Sequence, residues 1–246
     1  MDRQLTDAER QRAWDKLAAA DAMWASCTNG KPRFAWDPAA FMLTGLREVA
    51  WITARARAIG AIPDAIERAL DFGCGPGRLI GGLAGIAPRV VGVDTSLAML
   101  ELARANYPDS STVTFTPDID GVAAASIDLA YSTFVLQHLP GPARRSAFIA
   151  ISRTLRVGGV FIFQYPHHPR MTPYGIPWYL LPNDILMWIQ EKIYRLPASM
   201  PMYWRAFKQV PRELNDCGLR LITRVEGLEY SPNWVDTWHI ATRDGA

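Results

Sequence analysis

From about Ile66 the chain alternates short apolar runs with stretches in which apolar residues recur every three or four positions. Arg68–Phe72, Arg89–Val93, Val113–Thr116, Asp128–Ser132 and Val160–Gln164 read as strands. Arg78–Ile86, Leu97–Ala105 and Ala143–Leu155 read as the helices between them. Val90-Val91-Gly92-Val93 and Val160-Phe161-Ile162-Phe163 lack polar alternation, as parallel strands covered on both faces do. This rhythm predicts an α/β fold: a doubly wound, mostly parallel, seven-stranded sheet. A helix at Pro211–Cys217, stopped by Gly218, precedes its last two strands, Leu219–Leu228 and Asp236–Thr242, which pair like a hairpin.

Two helices come before the sheet. Thr6-Asp7-Ala8-Glu9 is a capping-box pattern, followed by Trp14, Leu17, Ala18 and Ala22 at helical spacing. Asp37-Pro38 reads as an N-cap with proline at the first helical position. Phe41, Met42, Leu46, Val49 and Ile52 then mark an apolar stripe, and Gly60 marks its stop. After the fifth strand, prolines break the rhythm from Pro166 to Met202 around a helix-like stretch, Ile185–Tyr194. The expected organisation is one domain: an N-terminal helical cap (1–62), a core (63–165), a helical lid insertion after strand five (166–205) and a C-terminal helix and strand pair (206–246).

Composition narrows the class. Of 246 residues, 49% are hydrophobic and 20% charged, enough for a full core and too apolar for disorder. A net charge of +2 with no Lys/Arg run argues against a nucleic-acid footprint. Cys27, Cys74 and Cys217 form no CxxC pair, which suits a reducing, cytoplasmic setting. Met1-Asp2-Arg3-Gln4 opens no apolar leader, and no apolar run reaches the roughly 18 residues of a membrane span, so no integral membrane association is expected. The nine tryptophans avoid the stretch from Ile52 to Pro177.

The most informative stretch is Asp71-Phe72-Gly73-Cys74-Gly75-Pro76-Gly77-Arg78, between the first strand and its helix. Glycines at alternate positions let the chain turn sharply and let a ligand approach backbone N–H groups without Cβ interference. Asp94 ends the next strand, where a carboxylate can accept both hydroxyls of a ribose. The spacing is GxGxG, with Arg78 where a dinucleotide fingerprint has its third glycine. Asp71 would repel a pyrophosphate and suit a cationic amine. A NAD(P)-dependent oxidoreductase and a non-catalytic nucleoside-binding protein remain the alternatives.

These residues resemble the class I S-adenosylmethionine (SAM)-dependent methyltransferases of small-molecule type, over roughly Ala65 to Gln164 and in the pattern of the last two strands. The resemblance implies that Asp71, Gly73, Cys74, Gly75 and Gly77 hold the methionine portion of SAM and that Asp94 holds its ribose. Asp94-Thr95-Ser96-Leu97-Ala98-Met99-Leu100 is similar to the family's D-x-S-x-x-M-L stretch, placing Thr95 and Met99 beside the adenosine. Asp118-Ile119 looks like the adenine-contacting pair, with Asp120 as competitor, and Ser132 ends the fourth strand at the same edge. The implied reaction yields S-adenosylhomocysteine and a methylated small molecule, partly apolar or aromatic. A peripheral quinone or lipid acceptor stays open.

Methyl transfer to a hydroxyl, amine or acidic carbon needs a positioned acceptor and sometimes a base. His138, in a QHL context after strand four, and His167 and His168, placed after strand five, are the candidate bases. Each has a plainer reading as a packed or solvated histidine. No cysteine or carboxylate accompanies the pair at ligand spacing, so no metal is expected. Ser132-Thr133-Phe134-Val135 stands where nucleobase amine methyltransferases carry a [D/N]-P-P-[Y/F/W] loop, which again points away from nucleic acid. Phe134, Tyr165, Trp178, Trp188, Trp24 and Trp36 are the candidate walls of an acceptor pocket. All or some of these aromatics can instead be core.

Overall fold

The computed structural model describes residues 5–28, 30–108, 111–228 and 231–245; the Met1–Gln4 start lies outside them. Its sheet contains β1 (Arg68–Phe72), β2 (Arg89–Val93), β3 (Val113–Thr116), β4 (Ile127–Ser132), β5 (Leu155–Pro169), β6 (Leu219–Val225) and β7 (Trp234–Arg243). The order across the seven strands is β3-β2-β1-β4-β5-β7-β6. The first five run parallel, and β7 lies antiparallel between β5 and β6. The doubly wound α/β expectation therefore holds. Winding reverses between β1 and β4, which opens a crevice at their carboxyl ends.

Helices cover both faces. One apolar layer gathers Ile52, Leu83, Leu129, Ile162 and Ile240, and the other gathers Leu70, Phe148, Ile151, Phe161 and Leu214. The first layer lies under α2 (Pro38–Ala58) and α3 (Ile80–Ala84). The second lies under α5 (Gly141–Thr154) and α8 (Val210–Asn215); further helices are α4 (Leu97–Asn106), α6 (Pro177–Leu180) and α7 (Asn183–Lys192).

Strand five departs most from expectation. It pairs Leu155 with Ile127, skips the Val157-Gly158-Gly159 turn (Gly158 at φ 75°) and resumes with Val160 beside Leu129. It then runs on to Pro169, because β7 supplies an antiparallel partner as far as Trp234. His167 and His168 are thus inside the strand, not beyond it. The prolines at 166 and 169 are tolerated at the frayed end of this two-stranded ribbon, where the register shifts.

The first helix, α1 (Asp7–Ser26), starts on the predicted capping box: the Thr6 side chain accepts from Glu9 N, and Glu9 reaches back to Thr6 N. Asp21 interrupts it with φ −165° and ψ 86°, and its carboxylate accepts from Trp24 N to restart the turn. The helix α2 is capped by Asp37, which accepts from Ala40 N at 2.8 Å. Its buried stripe differs from the apolar pattern: Leu46 is exposed, whereas Gly45 and Glu48 are buried. Gly45 lies against the carbonyl of Arg78, so close that a Cβ there would stand 1.9 Å from its oxygen.

Glu48 pairs with Arg78 Nη1 at 2.9 Å, and both side chains are buried. Its other oxygen accepts from Tyr131 and Thr133 hydroxyls at 3.2 and 2.7 Å. This network ties α2 to the glycine loop and to the end of β4. Replacing Glu48 with alanine strands a buried guanidinium, and urea unfolding should record a loss of about 3–5 kcal/mol. The double variant Glu48→Met with Arg78→Met should lose clearly less than the two single variants summed.

Candidate functional site

The glycine loop sits at the crevice between β1 and β4. Gly73, Gly75 and Gly77 all have positive φ, at 80°, 52° and 91°. A Cβ on Gly73 would lie 2.0 Å from the Val135 side chain, and one on Gly75 would lie 2.8 Å from Ser26 Oγ. The expectation of bare N–H groups is corrected here. Gly73 N and Cys74 N both donate to Val93 O, Gly75 N donates to Asp94 Oδ2 and Gly77 N donates to Cys74 O. The glycines secure close approach; they do not leave four donors open. Cys74 turns its thiol inward against β2, where burial pushes its acidity far down.

Asp71 is fully buried at the end of β1, and neither carboxylate oxygen has a hydrogen-bond partner. Burial pushes its pKa up to about 8, with Arg78 pulling down and Glu48 and Asp94 pushing up. An orphaned acid of this kind fits a cationic group on a ligand. Asp94 differs: it accepts from Ser96 N at 2.9 Å and Gly75 N at 2.8 Å, one bond per oxygen. Burial raises it to about 6 against the pull of those two amides. Each oxygen retains a second lone-pair direction for a ligand hydroxyl.

The remaining cofactor candidates divide. Thr95 is exposed beside Asp94. Met99 is buried between α4 and α1, packed on Leu17 and Ala25. Asp118 is exposed and accepts from Asp120 N at 2.8 Å, capping the turn that holds Ile119, while Asp120 pairs with Arg153 at 3.5 Å. Ser132 donates to Phe72 O at 2.9 Å and serves the sheet.

A cavity of about 250 Å³ lies beside this crevice. Ser26 and Cys27 from the end of α1 and Phe134, Gln137 and His138 after β4 form its inner side. Gln164, Pro166, Trp234 and Asp236 on the β5–β7 ribbon form one wall. Trp178, Gln190, Met200 and Met202 close it from the insertion. That insertion is tied down: Tyr203 N donates to Gln137 O at 2.7 Å, and Gln190 exchanges two hydrogen bonds with Met200.

Phe134 and Trp178 are the predicted wall residues that line it. Tyr165 points into the opposite core and donates to Tyr203 O at 2.9 Å. Trp36 is buried with its indole on Cys27 O, Trp24 donates to Lys31 O, and Trp188 is exposed. None of these four lines the cavity. The sequence reading passed over Gln164, Trp234 and Asp236; the alternation of β5 against β7 was the signal that carried them.

Among the histidines, His138 lines the cavity. Its Nδ1 donates to Pro201 O at 2.8 Å, which leaves Nε2 to accept from Gln137 at 3.2 Å. His167 bonds Arg205 O and Thr237 Oγ1 through its two nitrogens and stacks on Phe207, away from the cavity. Burial pushes both down to about 4, so both are neutral at pH 7. His168 donates to Pro169 O at 3.0 Å and also lies outside the cavity lining.

Residues 70–163 match the family model described as "Methyltransferase domain". This stretch resembles a class I methyltransferase domain. Over 119 residues the chain is 36% identical to a trans-aconitate 2-methyltransferase of Methylobacterium radiotolerans, covering 45% of this chain and 43% of that one. Over 140 residues it is 33% identical to a ubiquinone biosynthesis O-methyltransferase of Burkholderia multivorans, covering 52% and 55%. The chain spans about half the length of these curated relatives. The N-methyltransferase NodS from Bradyrhizobium japonicum, solved with S-adenosyl-L-homocysteine, shares the fold at TM-score 0.60 and 16% identity, over 95% and 97% of the two chains. The matched stretch holds the glycine loop, Asp71, Asp94 and His138; the ribbon tip and the insertion lie beyond it. Among the described residues no helix is long and apolar enough to cross a membrane, and no His/Cys/Asp/Glu group is placed to hold a metal.

Asp71 offers a direct check. Its folded pKa stands above the unfolded value, so the native state binds the proton more tightly, and its ionisation lowers stability as pH rises from about 4 to about 8. Asp71→Asn should therefore match the parent near pH 4 and be increasingly more stable toward pH 8. The gap should grow by at most about 1.4 kcal/mol per pH unit in urea unfolding.

Proposed function

We propose that the protein is a SAM-dependent methyltransferase acting on a small organic molecule. The observation that carries this reading is the unpartnered Asp71 carboxylate beside a glycine loop, Asp94 and a walled cavity. Asp71 would take the α-amino group of the cofactor, and Asp94 would use its remaining lone pairs for the ribose. Asp118 and Ile119 would flank the adenine from the turn after β3. When bound, SAM supplies a methyl group on a sulfonium, an already good leaving group.

The protein's part is then positioning and exclusion of water. Trp178, Met200 and Met202 cover the acceptor, and the ribbon fixes its far side. His138, neutral and held by its Nδ1 bond, accepts the acceptor's proton at Nε2 once Gln137 yields that lone pair. His167 and His168 support the ribbon instead.

A nicotinamide reading is disfavoured by Arg78, which fills the third-glycine position and is committed to Glu48. Calorimetry should show SAM binding and no NAD binding; the reverse would end the proposal. Transfer of label from methyl-labelled SAM into a compound of a cell extract separates an enzyme from a binding protein. His138→Ala should keep SAM affinity within about twofold and lower turnover about 10²-fold or more.

A further inference from the structure

Residues 198–203 of the insertion form a strap that leads from α7 to the loop after β4. Ala198 packs with Leu17, Ala18, Ala25 and Met99. Gln190, on α7, grips the next part: its Oε1 accepts from Met200 N at 2.6 Å, and its Nε2 donates to Met200 O at 3.3 Å. At the far end Tyr203 N donates to Gln137 O at 2.7 Å, and Tyr203 O accepts from the Tyr165 hydroxyl at 2.9 Å. Between the two anchors lies Pro201 O, which receives His138 Nδ1 at 2.8 Å. Trp14 packs edge-on against that imidazole, ring centroids 5.2 Å apart.

Each anchor removes a rotation. Apolar packing places a chain without aiming its carbonyls, whereas hydrogen bonds are directional. Gln190 binds Met200 at both its N–H and its C=O, which sets the Met200–Pro201 peptide plane. The proline ring then holds φ at about −65°, so only the ψ rotation of Pro201 is left to aim its carbonyl. Tyr203 restricts that rotation from the other side. A carbonyl oxygen can only accept, so the bond to Pro201 O requires the imidazole proton on Nδ1. Free histidine favours the other form, with Nε2 protonated, so the choice is made by the protein.

We infer that Gln190 is a positioning residue: through Met200 it aims the Pro201 carbonyl at His138, which keeps the ring proton on Nδ1 and leaves Nε2, beside the Gln137 amide, as the nitrogen able to take a proton. On the reading of His138 as the base, on which this rests, a base of the correct form exists only while the strap is seated. The insertion then does more than cover the acceptor: seating it and arming His138 are one event.

Proton–nitrogen correlation spectra of the full chain labelled with nitrogen-15 histidine at pH 7 test this, because a protonated and a bare ring nitrogen resonate far apart. The chain has four histidines, and His138→Gln identifies the His138 signals by their loss. In the parent the Nδ1–H form of His138 should exceed the Nε2–H form at least about tenfold. Gln190→Leu, which loses both bonds to Met200, should lower that ratio at least about fivefold. His167, bonded to Arg205 O and Thr237, should keep its own signals and so report an intact ribbon. Gln190→Glu keeps the bond from Met200 N and should move the ratio the same way by less, which serves if the leucine variant does not fold. A parent His138 protonated at Nε2 overturns the proposal before any variant is made. An unchanged ratio in a folded Gln190→Leu or Gln190→Glu overturns it as well. The spectra need no methyl acceptor, so normal turnover in His138→Ala would end the base reading while the tautomer is still decided.

Discussion

The Glu48–Arg78 ion pair is the constraint on which the crevice depends. Two opposite charges out of water hold only if geometry and further hydrogen bonds satisfy them, and Tyr131 and Thr133 complete that set. Three pieces of chain remote in sequence are thereby fixed: α2, the glycine loop and the end of β4. Arg78 also lies over the Phe134 ring at 5.5 Å, so the pair reaches the inner side of the cavity. The close packing of Gly45 on the Arg78 carbonyl allows this approach of helix to loop.

The same pair sets the field at Asp71. Burial is the largest influence and raises its pKa; Arg78 pulls it down, and Glu48 and Asp94 push it up. Arg78 is committed to Glu48, and neither oxygen of Asp71 has a hydrogen-bond partner. Asp94, one strand over, instead accepts from two backbone amides, which fix its orientation. The crevice therefore contains one buried acid without a hydrogen-bond partner and one held by two amides.

Much of this was legible in the sequence. The capping box at Thr6, the Asp37-Pro38 start and the first three strands appear where the pattern places them, because each is specified by local chemistry. The glycine loop was readable for the same reason. Leu46 was misplaced on α2 and Glu48 went unnoticed, because a charged residue inside a helix stripe needs a partner 30 positions away, which no local pattern reveals. Strand five was cut short at Gln164 because its last third is held by β7 and not by its own propensity. For the same reason Tyr165 and His167 fell on the wrong side, while Gln164 and Asp236 went unnoticed.

The ribbon has a consequence for how such a protein can diversify. Along β5 and β7 one set of alternate positions, Gln164, Pro166, Trp234 and Asp236, looks into the cavity. The intervening set, Phe163, Tyr165 and Thr237 among them, is buried on the opposite side. A mutation in the first set reshapes the cavity wall while leaving the apolar layer on the other face of the sheet in place. A mutation in the second does the reverse. Descendants of this chain can therefore drift in substrate while the strands beneath stay unchanged, and their ligand preference should track four inward positions more closely than overall similarity.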